Sequence, residues 1–578
     1  MSHKLNIFHK KVNSHLKIIY QNILPDEEIN NLTDQIFEIT PKVKNDATSE
    51  NWNESDIFLI SYGDSIVSAK DKNLKTLKNF VDEFLKPHFN NIHVLPFFPF
   101  SSDDGFSITD YKKVRDDLGS WEDISLLSKD YRVMADIVIN HASKQSEYFQ
   151  KFVRGNYEYK DFFISLDKDE GFEEVDRPRS SNLFQEIEIS NQKKYLWCTF
   201  SHDQIDLNFK NPRVLLFFIK LIYLYLKHGI KVFRLDAVAF LWKEKSTNCL
   251  NLPQTHEVVK LIRTILDHYN QNTLLITETN LPNLENLSYF GNGDEANAIY
   301  NFTLPPLLLW TLLMGDSTAL RKWSMSMPPA KEHTTYFNFI ASHDGIGLRP
   351  TEDILTNQER GTLIDIVKEF GGIISNRKKP DGTETVYELN IALLDAMKGT
   401  FKGIDHMQVE RFIACHAIML SLEGIPAFYI HSVLGTTNDY ELMKKNSQNR
   451  SINRKSWDIN EIKNKLLDDK SINNQVYKSI INLIKIRKTQ PAFHPNAIQF
   501  TFNLGKNFFG IWRQSLDKKQ SIFSVTNVTN IFQYLDLTEL NLIESEKWWD
   551  IINNKDIDDI KSSIALKAYQ TVWITNHK

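Results

Sequence analysis

Short apolar runs recur along most of the chain, with helical segments between them. Runs this apolar are typical of parallel strands that are covered on both faces. Eight of them predict strands, at 57–64, 92–98, 132–140, 230–236, 274–279, 297–304, 335–344 and 424–430. Eight successive strand and helix units predict an α/β fold, a (β/α)8 TIM barrel.

Two long polar segments interrupt this rhythm. One spans 142–210, after the third predicted strand, and the other runs from about 345 to 423, between the seventh and eighth. Long inserts in a barrel usually build the rim of the active site. We therefore predict an inserted domain over 142–210 and a long loop insert before the eighth strand.

The two ends of the chain differ from the barrel in pattern. Residues 1–50 are polar and prone to form helices. The C-terminal part contains segments such as "FFGIWRQ" and "SIFSVTNVT", which predict antiparallel strands separated by polar turns. The predicted domains are a helical extension over 1–50, a catalytic barrel over 51–141 and 211–490, an inserted domain over 142–210 and an all-β domain over 491–578.

Composition and charge exclude some classes of protein. Hydrophobic residues make up 42% and charged residues 24%, as in ordinary globular proteins, and the net charge of −5 offers no basic surface for nucleic acid. The N-terminus lacks the apolar core of a signal peptide, and the longest apolar run, 214–226, is too short to span a bilayer. We expect a cytoplasmic protein with no nucleic-acid or membrane partner.

No pattern in the chain predicts a metal or a cofactor. The three cysteines, Cys198, Cys249 and Cys415, lie far apart and form no CxxC pair, which fits a reducing compartment. The histidines do not have the spacing of a metal site, and the acidic run at 165–176 is more simply a solvated loop than a calcium site. No Gly-rich phosphate loop follows a strand.

Charged residues collect where the predicted strands end. In a barrel of this kind the reactive groups lie at the C-terminal ends of the strands. These ends carry Asp64, Asp136, Asn140, His141, Arg234, Asp236, Glu278, His343 and Asp344. One aspartate at a strand end is commonly only a turn residue. Five charged ends that converge on one mouth indicate an active site.

Three of these residues, Asp236, Glu278 and Asp344, suit cleavage of a glycosidic bond. In a retaining enzyme one carboxylate attacks the anomeric carbon and a protonated carboxyl, about 5–5.5 Å away, gives its proton to the leaving oxygen. Arg234 lies on the same strand face as Asp236 and would keep it ionised by lowering its pKa. Glu278 needs the opposite, a raised pKa. Asp344 and His343 would then hold the sugar hydroxyls.

Four motifs in order carry a family resemblance. They are "DIVINH" (136–141), "FRLDAVAF" (233–240), "ITETN" (276–280) and "FIASHD" (339–344), and they resemble the motifs of the α-amylase superfamily, glycoside hydrolase family 13. The resemblance implies that Asp236 is the nucleophile, Glu278 the general acid/base and Asp344 the third carboxylate. It also implies a glucose subsite lined by Asp64, His141, Arg234 and His343.

Further stretches resemble the sucrose phosphorylase branch of that superfamily, among them "ASHDGIGLRP", "YELNIALLDA" and "NRSINR". The resemblance implies transfer of a glucosyl group from Asp236 to inorganic phosphate, with release of α-glucose 1-phosphate. It also implies that Arg454 closes the glucose subsite. The residues that match positions at which that branch admits acceptor or phosphate are Arg177, Arg179, Tyr387 and Glu388, of which Arg179 is the better-matching arginine. Guanidinium forks suit bidentate binding of anions.

The chain also departs from sucrose phosphorylases. Tyr111, which we assign to the substrate subsite, stands where they usually carry His, and Glu388 stands where several carry Gln. The stretch "RPRSSNLFQEIE" resembles relatives that act on glucosylglycerate or on sucrose 6′-phosphate. We therefore expect an acceptor that carries a carboxylate or a phosphate, and the choice between the two stays open.

Three functions fit the sequence. The first is a retaining α-glucosyl phosphorylase whose partners are a small α-glucoside and inorganic phosphate. The second is a hydrolase or transglucosidase, in which water or a sugar reaches the glucosyl intermediate first. The third is a non-catalytic barrel subunit, which the presence of all three carboxylates disfavours. The pattern does not indicate an oligomeric state.

Overall fold

The centre of the protein is a closed barrel of eight parallel strands. The structure is a computed structural model that describes residues 2–40, 51–189, 192–269, 272–379 and 382–577. In chain order the strands are β1 Phe58–Ser61, β2 Asn91–Val94, β3 Arg132–Val138, β4 Val232–Asp236, β5 Leu274–Thr277, β6 Ala298–Tyr300, β7 Thr335–Phe339 and β8 Ile425–Tyr429. Each strand pairs with the next, and β8 closes on β1, where Ala427 lies opposite Phe58. The predicted barrel is confirmed, and each predicted run overlaps one strand.

The strands are apolar along their length because the barrel covers both of their faces. Apart from Arg132 at the start of β3, every residue of the eight strands is buried. The helices that follow β1 to β8 are Asn73–Phe84, Trp121–Asp130, Pro212–Lys227, Pro253–Tyr269, Asn283–Leu287, Leu304–Met314, Gln408–Ser421 and Ile472–Arg487. Side chains on one face of these helices pack on the outside of the barrel, which leaves the strand ends as the place for polar residues.

Two helices precede the barrel and pack against it. They are Ser2–Tyr20 and Asp26–Ile39, and the first lies along the helix Pro253–Tyr269. His15 connects the first helix to Pro253–Tyr269: its Nδ1 lies 2.6 Å from Oε1 of Glu257 and its Nε2 lies 3.0 Å from Oγ1 of Thr264. The remainder of the predicted helical extension, 41–50, lies outside the described residues.

The insert after β3 forms an antiparallel sheet. Its strands are Ser165–Leu166, Phe184–Ile189 and Gln192–Trp197. A short pair, His141–Ser143 with Gln204–Asp206, ties both ends of the insert to the mouth of the barrel. The insert before β8 contains the helix Asn357–Glu369 and a sheet of Ile346–Gly347, Glu384–Asn390 and Ile373–Lys378. The predicted domain boundaries stay predictions.

The C-terminal part is all β, as predicted. Six strands form one sheet in the order Ile498–Thr501, Phe508–Gln514, Ser521–Asn527, Thr571–Thr575, Trp548–Asp550 and Lys555–Ile557. A second pair joins Gln533–Asp536 to Ser563–Leu566. Side chains such as Phe523, Trp548 and Ile574 form a separate core there. None of the described helices combines the length and apolar character needed to cross a membrane.

Candidate active site

A cavity lies at the C-terminal mouth of the barrel. Its wall is built from the ends of β3, β4, β5 and β7, from both inserts and from loops beside them. The residues that line it include Asp103, Phe106, His141, Arg179, Gln204, Asp236, Glu278, Asn280, His343, Asp344, Arg349, Tyr387, Glu388 and Arg450. The three predicted carboxylates therefore meet in one cavity.

Asp236 and Glu278 lie side by side because their strands are neighbours in the barrel. In the register of β4 and β5, Leu235 lies opposite Thr277. Nη1 of Arg234 donates a hydrogen bond to Oδ1 of Asp236 at 2.8 Å, and its Nη2 lies 3.9 Å from Oε1 of Glu278. Ala237 has a positive φ of 52°, and its N–H donates to Oε2 of Glu278 at 2.8 Å. One buried arginine and one strained turn thus fix both carboxyl groups.

Asp236 and Glu278 both have raised pKa values, but they lie at different distances from Arg234. Burial raises the pKa of Asp236, and repulsion from Glu278 raises it further; burial also raises the pKa of Glu278. Because the charge of Glu278 disfavours ionisation of Asp236, we infer that the pair retains one proton near neutral pH. The upward shift in pKa is the larger for Asp236. The ion pair with Arg234 is much closer for Asp236, however, so we assign the negative charge to Asp236 and the proton to Glu278.

Asp344 has the opposite electrostatic surroundings. Burial raises its pKa, but Arg450 and the other positive groups outweigh burial and hold that pKa below its ordinary value. Nη1 of Arg450 lies 2.6 Å from Oδ1 of Asp344, and the Nε and Nη2 of the same guanidinium donate to the two oxygens of Glu388 at 2.9 Å each. Asp344 therefore stays ionised beside the Asp236–Glu278 pair.

Neutral and apolar groups complete this part of the wall. Burial lowers the pKa of His343 well below its usual range and lowers that of His141, so both imidazoles are neutral at pH 7. The ring of His343 stacks on Phe106 with centroids 4.9 Å apart. Nε of Arg454 donates to the carbonyl oxygen of His343 at 2.8 Å, and its Nη1 donates to Asp104 at 2.5 Å. Arg454 thus supports the wall from behind.

Known proteins with this architecture are similar along almost the whole chain. Residues 83–344 match the family model "Alpha amylase, catalytic domain". A glucosylglycerate phosphorylase of Spirochaeta thermophila is 38% identical over 91% of this chain and 90% of its own length, and one of Escherichia coli K12 is 36% identical over 98% and 100%. The chain belongs to the α-amylase family, in its glucosyl phosphorylase branch.

A solved structure from the same branch of the α-amylase family agrees with this assignment. The crystal structure of sucrose 6F-phosphate phosphorylase from Thermoanaerobacter thermosaccharolyticum superimposes with a TM-score of 0.71. It is 25% identical in sequence, and the match covers 84% of this chain and 94% of that one. The similarity thus includes the barrel and most of the segments around it.

Two residues assigned to the glucose subsite of this family member lie elsewhere. Among the described residues that line the cavity, neither Asp64 nor Tyr111 occurs. Strand β1 already ends at Ser61, and Asp64 turns aside to pair with Arg115. The hydroxyl of Tyr111 donates to the carbonyl oxygens of Val138 and His141 at 3.0 and 2.6 Å, so it braces the end of β3. The structure therefore does not bring these two side chains to the cavity wall with the other predicted site residues.

The two arginines of the "DRPRS" stretch have different surroundings. Arg177 is buried and donates to the carbonyl oxygens of Thr199 and Ser181 at 3.1 and 2.5 Å, so it holds its own loop in place. Arg179 lines the cavity, with its guanidinium over the ring of Phe200 at 5.4 Å. Of the predicted anion-binding arginines, the structure brings only Arg179 to the cavity wall. Tyr387 lines it too, and burial raises the pKa of Tyr387 to about 12.

Sequence reasoning missed Asp103 and Phe106, which lie in a loop after β2. Asp103 and Asp104 have consecutive positive φ angles of 55° and 45°, a conformation that non-glycine residues rarely adopt. Such strain persists where the surrounding structure enforces it, commonly at functional sites. The signal available in the sequence was the pair of acidic residues before Gly-Phe in "SSDDGF".

Asp103→Asn and Asp64→Asn make the same chemical change, the first at a residue that lines the cavity and the second at one that does not. Comparing the two variants tests which aspartate binds the substrate. We expect Asp103→Asn to lower kcat/KM for the glucoside by about 10² or more, since a hydrogen-bonded group in a substrate pocket is worth several kcal/mol. We expect Asp64→Asn to change it less than about threefold. The measurement is kcat/KM of both variants with the same donor, and equal losses would contradict the assignment.

A lysine neutralises a buried carboxylate next to the cavity. Nζ of Lys243 lies 2.7 Å from Oδ2 of Asp206 and donates to Oδ1 of Asn140 at 3.0 Å and to the carbonyl oxygen of Phe240. Asp206 is fully buried and also accepts from Thr199. Across the described ranges, no group of three or more His, Cys, Asp or Glu residues is arranged to hold a metal.

Lys243→Met is expected to destabilise the protein by about 3–5 kcal/mol, because Asp206 would remain buried without its cation. Lys245→Met, two residues along at an exposed position, is the matched control and should cost less than about 0.5 kcal/mol. Urea unfolding at pH 7 measures both. Equal shifts of the two unfolding midpoints would show that the ion pair contributes nothing.

Proposed function

We propose that the protein is a retaining α-glucosyl phosphorylase that converts 2-O-α-glucosylglycerate and inorganic phosphate into α-glucose 1-phosphate and glycerate. The observation that carries this proposal is the pair Asp236 and Glu278, held by Arg234 and by the N–H of Ala237, in the wall of a cavity that also contains Arg179. The pair supplies glucosyl transfer with retention, and the arginine supplies an attraction for anions.

In the first step Asp236 attacks the anomeric carbon while the bond from that carbon to the glycerate oxygen breaks. Oδ1 of Asp236 is held by Arg234, so Oδ2 is the attacking oxygen. Glu278 gives its proton to the departing oxygen, and glycerate leaves with its hydroxyl restored. The product is a glucosyl group bound covalently to Asp236.

In the second step an oxygen of monohydrogen phosphate attacks the same carbon from the face that glycerate left. The bond to Asp236 breaks, and the phosphate proton passes to Glu278, which restores the starting state. Two inversions give net retention, and α-glucose 1-phosphate is the product. Arg179 is suited to bind the phosphate, because its guanidinium donates to the carbonyl oxygen of Pro178 and has no carboxylate within hydrogen-bond distance among the described residues.

Asp344 and the residues around it are proposed to bind the glucose ring. The ionised carboxylate of Asp344 would accept hydrogen bonds from sugar hydroxyls, and the neutral His141 and His343 would exchange hydrogen bonds with neighbouring hydroxyls. Phe106 offers an apolar face to the ring. These groups bind the glucosyl part that both half-reactions share.

Glycerate is preferred to fructose 6-phosphate as the acceptor on the strength of the relatives. The relatives named glucosylglycerate phosphorylase are 36–39% identical to this chain, whereas a sucrose 6(F)-phosphate phosphorylase is 27% identical over 81% of it. Both acceptors carry an anionic group, which fits an arginine in the wall.

A phosphate-dependence assay tests the proposal. The protein is incubated with 2-O-α-glucosylglycerate, sucrose 6′-phosphate and sucrose in turn, with and without phosphate, and glucose 1-phosphate is measured. We expect phosphate-dependent release from the glucosylglycerate alone. Free glucose formed at the same rate without phosphate would instead establish the hydrolase, which is the second candidate.

A further inference from the structure

Arg349 is a cavity residue for which the steps described above have no use. It begins a 3-10 turn, Arg349–Thr351, that follows the strand Ile346–Gly347 in the second insert. This segment packs closely against Asn280. The approach requires a glycine at position 347, because a Cβ there would lie only 2.7 Å from the Asn280 amide nitrogen. The close approach places Arg349 in the same wall as Glu278 and Tyr387.

The guanidinium of Arg349 is fixed by an ion pair, but not all of its N–H groups have a hydrogen-bond partner among the described residues. The side chain is buried, with 6% of the residue exposed, and its Nη2 donates to Oδ2 of Asp176 at 2.5 Å. Its Nε is buried and has no hydrogen-bond partner among the described residues. A buried donor without a partner is costly, so an acceptor supplied by a ligand would satisfy it.

The other arginines in the wall are less suited to bind an acceptor. Arg450 already faces the carboxylates of Asp344 and Glu388. Arg179 stacks on Phe200 and is assigned to phosphate above. Arg349 differs from both because Asp176 fixes its orientation from the side of the inserted domain. A fixed fork gives a carboxylate two parallel hydrogen bonds at little entropic cost.

We propose that Arg349 is the specificity-determining residue that binds the carboxylate of the departing acid, while Arg179 serves the phosphate. The inference rests on the proposed function. It adds to that function the side chain that binds the negatively charged group of the acceptor. Asp176 is a positioning residue, since it contacts Arg349 and also accepts from Arg377 at 3.0 Å.

The test runs the reaction backwards, from glucose 1-phosphate to glycerate or to glycerol. The two acceptors differ in that one carries a carboxylate where the other carries a CH₂OH group. We expect Arg349→Gln to lower kcat/KM for glycerate by about 10²-fold, the scale for losing one member of a desolvated charge pair. For glycerol we expect a change of less than about threefold.

Arg377→Gln is the matched control for loss of the Asp176 ion pair. Arg377 is as buried as Arg349, at 5% exposed, and it also contacts Glu352, but it does not occur among the described residues of the cavity wall. We expect its preference for glycerate over glycerol to equal that of the wild type. An equal loss of preference in both variants would overturn the inference, since it would trace the effect to the fold.

A second measurement separates the acid from phosphate. Exchange of radiolabelled phosphate into glucose 1-phosphate needs no acceptor, so Arg349→Gln should retain it within about threefold and Arg179→Gln should lose it. Loss of exchange in Arg349→Gln equal to its loss with glycerate would overturn the assignment. Should Arg349→Gln fail to fold, Arg349→Lys keeps the charge without the fork, and a loss of about tenfold confined to glycerate is expected.

The controls also separate this inference from the proposed function. A wild-type protein that transfers glucose to neither acceptor would contradict the phosphorylase itself and, with it, the role of Arg349. A wild type that prefers glycerate, and whose preference survives in Arg349→Gln, would overturn the role of Arg349 alone.

Discussion

Asp236→Asn is expected to lower kcat by about 10⁴-fold or more in both directions, because the amide cannot form the covalent glucosyl intermediate. The loss should be the same for phosphorolysis, for synthesis and for phosphate exchange, since all three pass through that intermediate. Steady-state rates with each substrate pair measure it. A loss confined to one direction would contradict the role of nucleophile.

The same change is expected to leave the fold intact. Burial raises the pKa of Asp236, which means that its carboxylate, although ionised in the active pair, is less stable in the folded protein than in water. Replacing it by a neutral amide of the same shape should therefore keep the free energy of unfolding or raise it by about 1 kcal/mol. Arg234 keeps its ion pair with Asp136 at 2.5 Å. Urea unfolding of both proteins checks this, and a much less stable variant would make the kinetic loss uninterpretable as chemistry.

The barrel could be predicted from sequence because its strands are buried on both faces. A strand such as β4, Val232–Asp236, shows an apolar run with charge only near its end, and all five of its residues are buried. The positions of the proposed catalytic carboxylates could be predicted for the same reason. Asp236 and Glu278 lie at or directly after strand ends, so the barrel geometry alone determines where their side chains meet.

Residues contributed by loops could not be placed in this way. Arg450 contacts Glu388, which is 62 positions away in the chain. The local sequence pattern around either residue cannot predict such a contact. Asp64 illustrates the converse: it follows an apolar run, but β1 ends three residues earlier and the chain turns Asp64 toward Arg115. Arg349 lies in "ASHDGIGLRP", a stretch that carries the family resemblance, yet only the fold shows that this residue lines the cavity.

Glu278→Gln is expected to remove the basic limb of the pH profile as well as most of the activity. Glu278 is active in its protonated form, and burial raises its pKa, so wild-type kcat/KM should fall as pH rises through that pKa. The amide of Gln cannot lose a proton in this range, and the fall should disappear. The acid limb, which reports ionisation of Asp236 within the coupled pair, should remain.

The size of the loss should depend on the leaving group. With 2-O-α-glucosylglycerate we expect kcat to fall by about 10²–10⁴-fold, the usual contribution of a general acid. With α-glucosyl fluoride, whose leaving group needs no proton, formation of the intermediate should stay within about tenfold of wild type. Single-turnover rates with the two donors measure the difference.

Glu388→Gln is the matched control for this pH experiment, since it makes the same change in the same cavity. Glu388 accepts two hydrogen bonds from Arg450, and we assign it no proton transfer. Its variant should therefore retain the basic limb, whatever its rate. A basic limb that persists in Glu278→Gln, or that vanishes in Glu388→Gln, would place the acid on a different residue. We expect the basic limb to be lost in Glu278→Gln and kept in Glu388→Gln. That result agrees with one proton shared by Asp236 and Glu278 and donated by Glu278, the carboxyl that lies farther from Arg234.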